Sequence, residues 1–366
     1  MSAWRTILLL AIVLAALVAG DAWLSTRDER SARDTVASPV SRMLASIDPS
    51  TLRPGAIRLS RGKESLFFSN RRDGIWRCEN AFGAVADIEA MERLVTALVS
   101  AEGTVRDRDP ARAEAYGLGR DDTIRIALLP AQPQGPPTEG PEPDPLFTIE
   151  IGLRIPDEKQ CFARVDGEPE IWALESDVLE TIAVEPGSAL PPLVDARVLP
   201  PVRPDLASPP RRIAIQRADG QALELERTDR AITSEEKAAG ALPWTWSLRD
   251  GNGAPLSCQP ALAESYARAL TRAPLSGLVD PRSLDPQFMT NPAVRVTLFM
   301  DRGKPIELRF GPAEQWGVPV HCTLTRTIVA VTPAVAELLH PGPGQLAESA
   351  TENPWLPLLE PRRPPG

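Results

Sequence analysis

One series of elements occurs twice along this chain, and that repetition limits the fold more than any other feature. Residues 56–60 alternate apolar and polar side chains, as a half-buried strand does. A second strand follows over 64–69, and a third centres on Trp76. Asp87 then opens a helix whose apolar stripe is Ile88, Met91, Leu94, Val95 and Leu98, the spacing of one helical face, and Gly103 is expected to stop it. Strands follow over 123–129, 146–151, 160–165 and 170–174, and a short last helix carries Val178, Leu179 and Ile182. From Arg212 the same order returns, with Trp246 on its third strand. Pro260 sits at the first position of the matching helix, where a missing N–H costs little. Thr332 and Pro333 begin its last helix.

The spacings test the repeat. Trp76 and Trp246 are 170 residues apart, and so are Ile126 and Val296. Past the hairpin the offset falls: Gly152 to Gly311 is 159 and Val178 to Val335 is 157. Cys161 is matched to Cys322, at 161. One insertion explains the step: a Pro-rich loop, 130–145, stands where the second copy has the short turn 301–305. Loops tolerate insertion because closure entropy grows slowly with length. The expected fold class is therefore α+β: two tandem, diverged copies of an antiparallel sheet with one main helix. The copies span 56–185 and 212–340, with a tether at 24–55, a Pro-rich linker at 186–211 and a Pro-rich tail at 341–366. Within the linker, 193–199 is expected to be a short docking element, and Trp355 to Leu359 is the apolar part of the tail.

The N-terminus assigns the compartment. An uncharged apolar run extends from Thr6 to Gly20, and counting Trp4 through Trp23 gives a transmembrane helix with a tryptophan at each interface. Its apolar run alone reaches only ~22 Å at 1.5 Å per residue. The alternative is a cleaved signal segment ending near Val18, Ala19 and Gly20, with secretion. Either reading places the bulk of the chain outside the cytoplasm; the anchored reading makes it an inner-membrane protein facing the periplasm. The formal charge of −9 and the lack of any basic run argue against nucleic-acid binding.

An exported chain with four cysteines, Cys78, Cys161, Cys258 and Cys322, is open to disulfides in three connectivities. Pairing within each copy is expected, Cys78 with Cys161 and Cys258 with Cys322. A Cys161–Cys322 bridge or four buried thiols are the alternatives.

The other candidate chemistry is sparse. His321 and His340 are the only histidines, and His321 adjoins Cys322. Strand neighbours point to opposite faces, so that pair is expected neither to chelate a metal nor to act as a nucleophile and base. Asp121, Asp122, Glu235 and Glu236 read as loop and surface charge, and no Gly-x-Ser-x-Gly elbow occurs. No catalytic residue, metal or cofactor is expected. Trp244 shares a strand face with Trp246 and has no equivalent in the first copy. With Trp316, in the loop between Gly311 and Gly317, it is a candidate contact for a partner or ligand.

An N-terminal membrane segment, the strand Gly74-Ile75-Trp76, the helix, Tyr116-Gly117-Leu118 and a hairpin ending at Ile151-Gly152 form a recognisable series. It resembles the domain-of-unknown-function family numbered 4340, over most of residues 56–340. The resemblance implies a membrane-anchored, extracytoplasmic protein associated with ABC-type transporter components of the kind linked to gliding motility. It supplies no catalytic residues. The role so expected is a non-enzymatic accessory protein of an envelope transport complex, with envelope membrane proteins such as a permease as partners. The rivals are a glycan- or peptide-binding module using the cleft between the copies and, more weakly, a hydrolase.

Overall fold

The computed structural model describes residues 41–44, 54–130, 144–155, 159–182, 190–347, 350 and 352–360, apart from positions 72, 122, 177, 239–240 and 286. The expected membrane segment 4–23 and most of the tether and of the 130–145 loop lie outside these residues. Among the described residues no helix is long and apolar enough to cross a membrane.

The first unit contains β1 (Ser41–Arg42), β2 (Ala56–Arg61), β3 (Glu64–Asn70), β4 (Trp76–Cys78), β5 (Ala84–Val85), helix α1 (Ile88–Val99), β6 (Glu102–Asp107), β7 (Ile124–Leu129), β8 (Phe147–Arg154), β9 (Cys161–Val165), β10 (Ile171–Leu174) and α2 (Val178–Thr181). The second contains β11 (Arg212–Arg217), β12 (Ala222–Asp229), β13 (Trp244–Asp250), β14 (Pro255–Leu256), α3 (Pro260–Leu270), β15 (Gly277–Leu278), β16 (Val294–Phe299), β17 (Ile306–Phe310), β18 (Val318–Cys322), β19 (Thr327–Val331) and α4 (Pro333–Leu339).

The first sheet runs β1-β6-β10-β9-β8-β7-β2-β3-β4-β5, and the second runs β14-β13-β12-β11-β16-β17-β18-β19-β15. Read from the other edge and without β1, the two orders are the same. All the pairings are antiparallel, and their register carries the equivalence to single residues. Ile57 faces Phe68, which faces Cys78; Ile213 faces Leu225, which faces Leu248. Trp76 faces Asn70 as Trp246 faces Arg227, so the two tryptophans stand on equivalent strands at equivalent positions.

The same registers correct one match. Cys161 faces Leu174, whereas Val318 faces Val331; Cys322 faces Leu308, as Val165 faces Ile149. Cys161 is thus equivalent to Val318, and Cys322 to Val165, at the opposite end of the strand. The physical source is the connection before it. β8 is eight residues long, with a register shift between Ile151 and Arg154, while β17 ends after five. The path from Ile149 to its partner Val165 is two residues longer than the path from Leu308 to Cys322, and the register shift contributes one of them.

α1 forms where the 3.6-residue spacing predicts. Asp87 caps it, its Oδ1 accepting from the Ala90 N–H at 3.0 Å. Ala90, Met91, Leu94 and Leu98 lie in one core with Ile57, Phe68, Ile126 and Ile149 of the sheet. Each buried Leu or Met there stabilises by roughly 1.5–3 kcal/mol relative to exposure. The helix stops before Gly103, at a Ser100 cap. Gly103 has a different role: it lies in β6, where a Cβ would sit 2.3 Å from the Ala173 carbonyl oxygen. Only glycine permits that strand approach.

The tail is not a loose appendage. Trp355 is fully buried in the second core, 5.5 Å from the Tyr266 ring, and its indole N–H donates to the Leu338 carbonyl at 2.8 Å. Arg272 on the α3 side donates to the Leu359 carbonyl at 2.8 Å.

Candidate functional site at the junction of the two units

The linker joins both units by backbone pairing. Leu193 and Val194 pack in the first core, while Val198 and Leu199 pack in the second. On the first side, the Asp195 N–H donates to Val85 and the Asp87 N–H to Leu193, each at 2.9 Å. On the second side, the Leu275 N–H donates to Ala196 and the Val198 N–H to Ala273, again at 2.9 Å. The short 193–199 element expected from sequence therefore docks, and it docks on two bodies at once. Asp195 is buried, and Arg197 answers it with Nε at 2.9 Å and Nη2 at 2.6 Å. That hydrogen-bonded pairing raises the Arg197 pKa despite burial.

A side-chain hydrogen bond also crosses between the sheets. Arg77, on β4, is buried and donates from Nη2 to the Thr325 carbonyl, at 3.0 Å, in the turn between β18 and β19. The same guanidinium holds Asp73 through Nη1 at 2.9 Å and Nη2 at 2.8 Å. Burial would raise the Asp73 pKa, but the hydrogen bonds from Arg77 and from the Ile75 N–H outweigh it and hold it below the usual carboxylate range. Leu278 of β15 packs against both cores.

Beside this joint lies a groove of about 300 Å³, walled by Ile75, Trp76, Val85 and Ile88 on one side and by Pro200 and Pro204 of the linker on the other. Ile88 is exposed at its mouth and Trp76 is half-buried. Its walls are mainly apolar, with Asp195 and Arg203 as the charged groups. The groove lies between the first unit and the linker rather than between the two copies, since no residue of the second copy lines it.

The two tryptophans singled out by sequence part company here. Trp316 is 45% exposed in its loop, as a contact residue would be. Trp244 is packed against the second core instead. Its indole N–H donates to Glu264 Oε2 at 2.9 Å, and Trp246 donates to the same oxygen at 3.0 Å. Arg268 takes the other oxygen at 2.7 Å, and the Arg227 guanidinium lies 5.1 Å from the Trp244 ring centre. Burial opposes the Glu264 charge, yet hydrogen bonds from Trp246, Trp244 and Arg268 hold its pKa below the usual range. Trp244 is thus a structural residue rather than an open stacking platform. The Trp-x-Trp spacing signalled a shared face; nothing near it in sequence pointed to Glu264.

All four cysteines are unbridged. The expected within-copy pairs do not form, because four strands, β3, β2, β7 and β8, stand between Cys78 and Cys161 in the sheet order. Cys258 and Cys322 are likewise on opposite flanks of the second sheet, and Cys161 and Cys322 belong to different sheets. A bridge needs Cα atoms within about 7 Å. Burial pushes the Cys78 thiol up to about 11 and raises that of Cys322, so neither is a ready thiolate at neutral pH.

His321 is buried on the outer face of the second sheet. Burial, then Arg309, lowers its pKa. His340 stacks edge-on to Phe310 at 5.1 Å, and its pKa is also lowered, first by burial. Among the described residues no three His, Cys, Asp or Glu side chains converge as a metal site would require. Asp121 and Glu235 are exposed, as surface charge should be, while Glu236 is half-buried and accepts from the Thr233 N–H at 2.8 Å.

No family model matches the chain, and neither curated proteins nor solved structures provide a match.

Proposed function

We propose that this chain is a non-enzymatic accessory subunit of an ABC-type envelope transport complex, anchored in the cytoplasmic membrane by residues 4–23 and presenting its two units outside the cytoplasm. The observation that carries the reading is the joint. The linker pairs with both units and Arg77 bolts one sheet to the turn of the other, which suits a body that holds a fixed surface toward a membrane partner. The apolar N-terminal segment with flanking tryptophans and the resemblance to family 4340 supply the compartment and the transporter connection. The contact surface in this proposal includes Ile88 at the groove mouth and Trp316.

Photo-cross-linkers placed at Ile88 and at Trp316, in cells making the full chain, test this. A membrane permease captured from either position is the expected result; capture of nothing above the level of a probe at exposed Lys63 would overturn it. A C-terminal reporter active only outside the cytoplasm should give its signal in the membrane fraction. Soluble periplasmic signal would mean that the segment is cleaved.

The groove favours a second reading, a binding module for an apolar peptide or the apolar face of a glycan. Its volume sits at the lower end of ligand pockets, and the Trp76 ring offers a stacking wall. Loss of ligand capture in Ile88→Glu, with permease cross-linking retained, would move the assignment to this reading.

A further inference from the structure

A row of outward-facing side chains crosses each sheet at the same place, and the two rows are satisfied differently. In the first unit the row is Arg125, Glu150 and Arg164, on β7, β8 and β9. Glu150 is buried and bridges its neighbours: Oε1 accepts from Arg125 Nε at 2.9 Å and Oε2 from Arg164 Nη2 at 2.5 Å. In the second unit the register puts Arg295, Arg309 and His321 at those positions, on β16, β17 and β18. The central carboxylate has become an arginine.

A carboxylate does remain nearby, but it accepts hydrogen bonds from Arg309 and only a long ion pair from Arg295. Glu307 Oε2 takes both Nε and Nη2 of Arg309, at 2.8 and 2.6 Å, while the Met289 carbonyl takes Nη1 at 2.6 Å. Arg295 Nε stands 4.0 Å from the same oxygen, too far for a hydrogen bond. Arg295 Nε and His321 Nδ1 are both buried without a hydrogen-bond partner among the described residues. Counting His321 as neutral and Glu307 with the second row, the two rows carry the same net charge, so the difference is one of placement. The first row has its acceptor between its cations, and the second has two unmet nitrogens there. Buried polar groups left in that condition are costly, and a charged acceptor gains the most from them. The two nitrogens themselves are covered, but the side chains over them are partly open: Arg295 is 35% exposed and Arg309 26%, beside a His321 that is 9% exposed.

The geometry points to a carboxylate-binding site on the outer face of the second sheet, in which an external carboxylate lies among Arg295, Arg309 and His321 as Glu150 lies between Arg125 and Arg164. The neutral imidazole, kept so by burial and by Arg309, offers a hydrogen bond without adding a third cation. This site lies on a different face from the junction groove and does not depend on the accessory role.

The chain has two histidines, so imidazole NMR signals of the full-length protein report on it directly. Titration with acetate against chloride at equal ionic strength should shift His321 and leave His340 unmoved. Arg309→Glu, which restores the first unit's central carboxylate, should reduce the acetate affinity about tenfold or more, and Arg295→Gln should do so if that variant fails to fold. Equal shifts of both histidines, an equal response to chloride, or full retention of binding in both variants would overturn the site. Succinate and a peptide with a single internal glutamate separate the sources. Saturation at lower carboxylate concentration by the peptide assigns the site to a partner's side chain, and by succinate to a free small acid.

Discussion

In the first unit the face of the sheet that carries α1 is completed by Leu193 and Val194 of the linker and by Met43 and Leu44 ahead of the repeat. In the second, the matching face receives α3 and α4, then Leu199 and Leu206 from the linker, then Leu346 and Trp355 from the tail. The strand orders are the same, yet the plugs differ in sequence, length and direction of arrival. A nine-stranded sheet with one main helix leaves part of its apolar face open, and each copy closes that gap with chain from outside the repeat. Divergence of the copies has therefore been greatest in what covers the sheet, and least in how the strands pair.

The strongest way to break this comparison is to remove the second unit's plug. Trp355→Ala deletes a fully buried indole, its stacking on Tyr266 and its bond to the Leu338 carbonyl. The expected cost is about 3–5 kcal/mol, as for other large aromatic deletions in cores. Hydrogen exchange read by mass spectrometry should show β11–β19 exchanging faster and β2–β10 unchanged. Equal loss in both sheets would mean that the units unfold as one, and that the plugs are not private to their copies.

Glu264→Ala comes next, at about 2–3 kcal/mol, because it strands the indole N–H groups of Trp244 and Trp246 in a largely buried setting. The first unit offers no such pair: Gly74 occupies the position two before Trp76. Tryptophan emission should change with the substitution. An unchanged spectrum and unfolding midpoint would show that Trp244 does not depend on this acceptor.

Arg77→Met should cost less, about 1–2 kcal/mol, and should act on the joint rather than on either core. It removes the bond to the Thr325 carbonyl while Asp73 remains partly exposed and can hydrate. The expected signature is separation of the two unfolding transitions in urea. Transitions that stay superposed would place the coupling in the linker and in the Leu278 contact with both cores.

How much of this was legible follows from where each interaction lies along the chain. The repeat could be read because strand alternation, helix spacing and the tryptophan offset are local signals, and the indel fell in a loop. Cys161 and Cys322 are not equivalent because register, and not residue identity, fixes the match: they stand at opposite ends of equivalent strands. Sequence leaves Trp244 as a candidate contact because its acceptor, Glu264, lies twenty residues away on a helix, where no local pattern marks it. The Arg77 contact spans 248 positions, and its acceptor is a backbone carbonyl, which no sequence pattern marks. The Arg295, Arg309 and His321 row emerges only when three strands are laid side by side.

The smallest expected effect separates the units by pH. Both histidines, His321 and His340, lie in the second unit, and the first has none. Burial lowers both pKa values, with Arg309 adding to the effect at His321 and Arg217 at His340. Unfolded imidazoles titrate near 6.5, so as pH falls below about 6.5 the unfolded chain takes up protons that the folded second unit refuses. Stability supplied by neutral, buried histidines is therefore full above about 6.5 and declines as pH drops toward the folded-state values. The paired carboxylates of the first unit behave otherwise. Asp73 and Glu79 are held below the usual range, each against the opposing effect of burial, by hydrogen bonds chiefly from Arg77 and from Arg71. Their contribution is lost only as pH falls through about 4 and below. Between roughly pH 6.5 and 5 the second sheet should lose exchange protection, after correction for intrinsic rates, while the first keeps it. In the His321→Asn, His340→Asn double variant that difference in slope should vanish even if the variant is less stable at every pH. Parallel loss in both sheets of the parent chain, or an undiminished slope in the double variant, would assign the acid response to carboxylates and remove the histidines from the comparison.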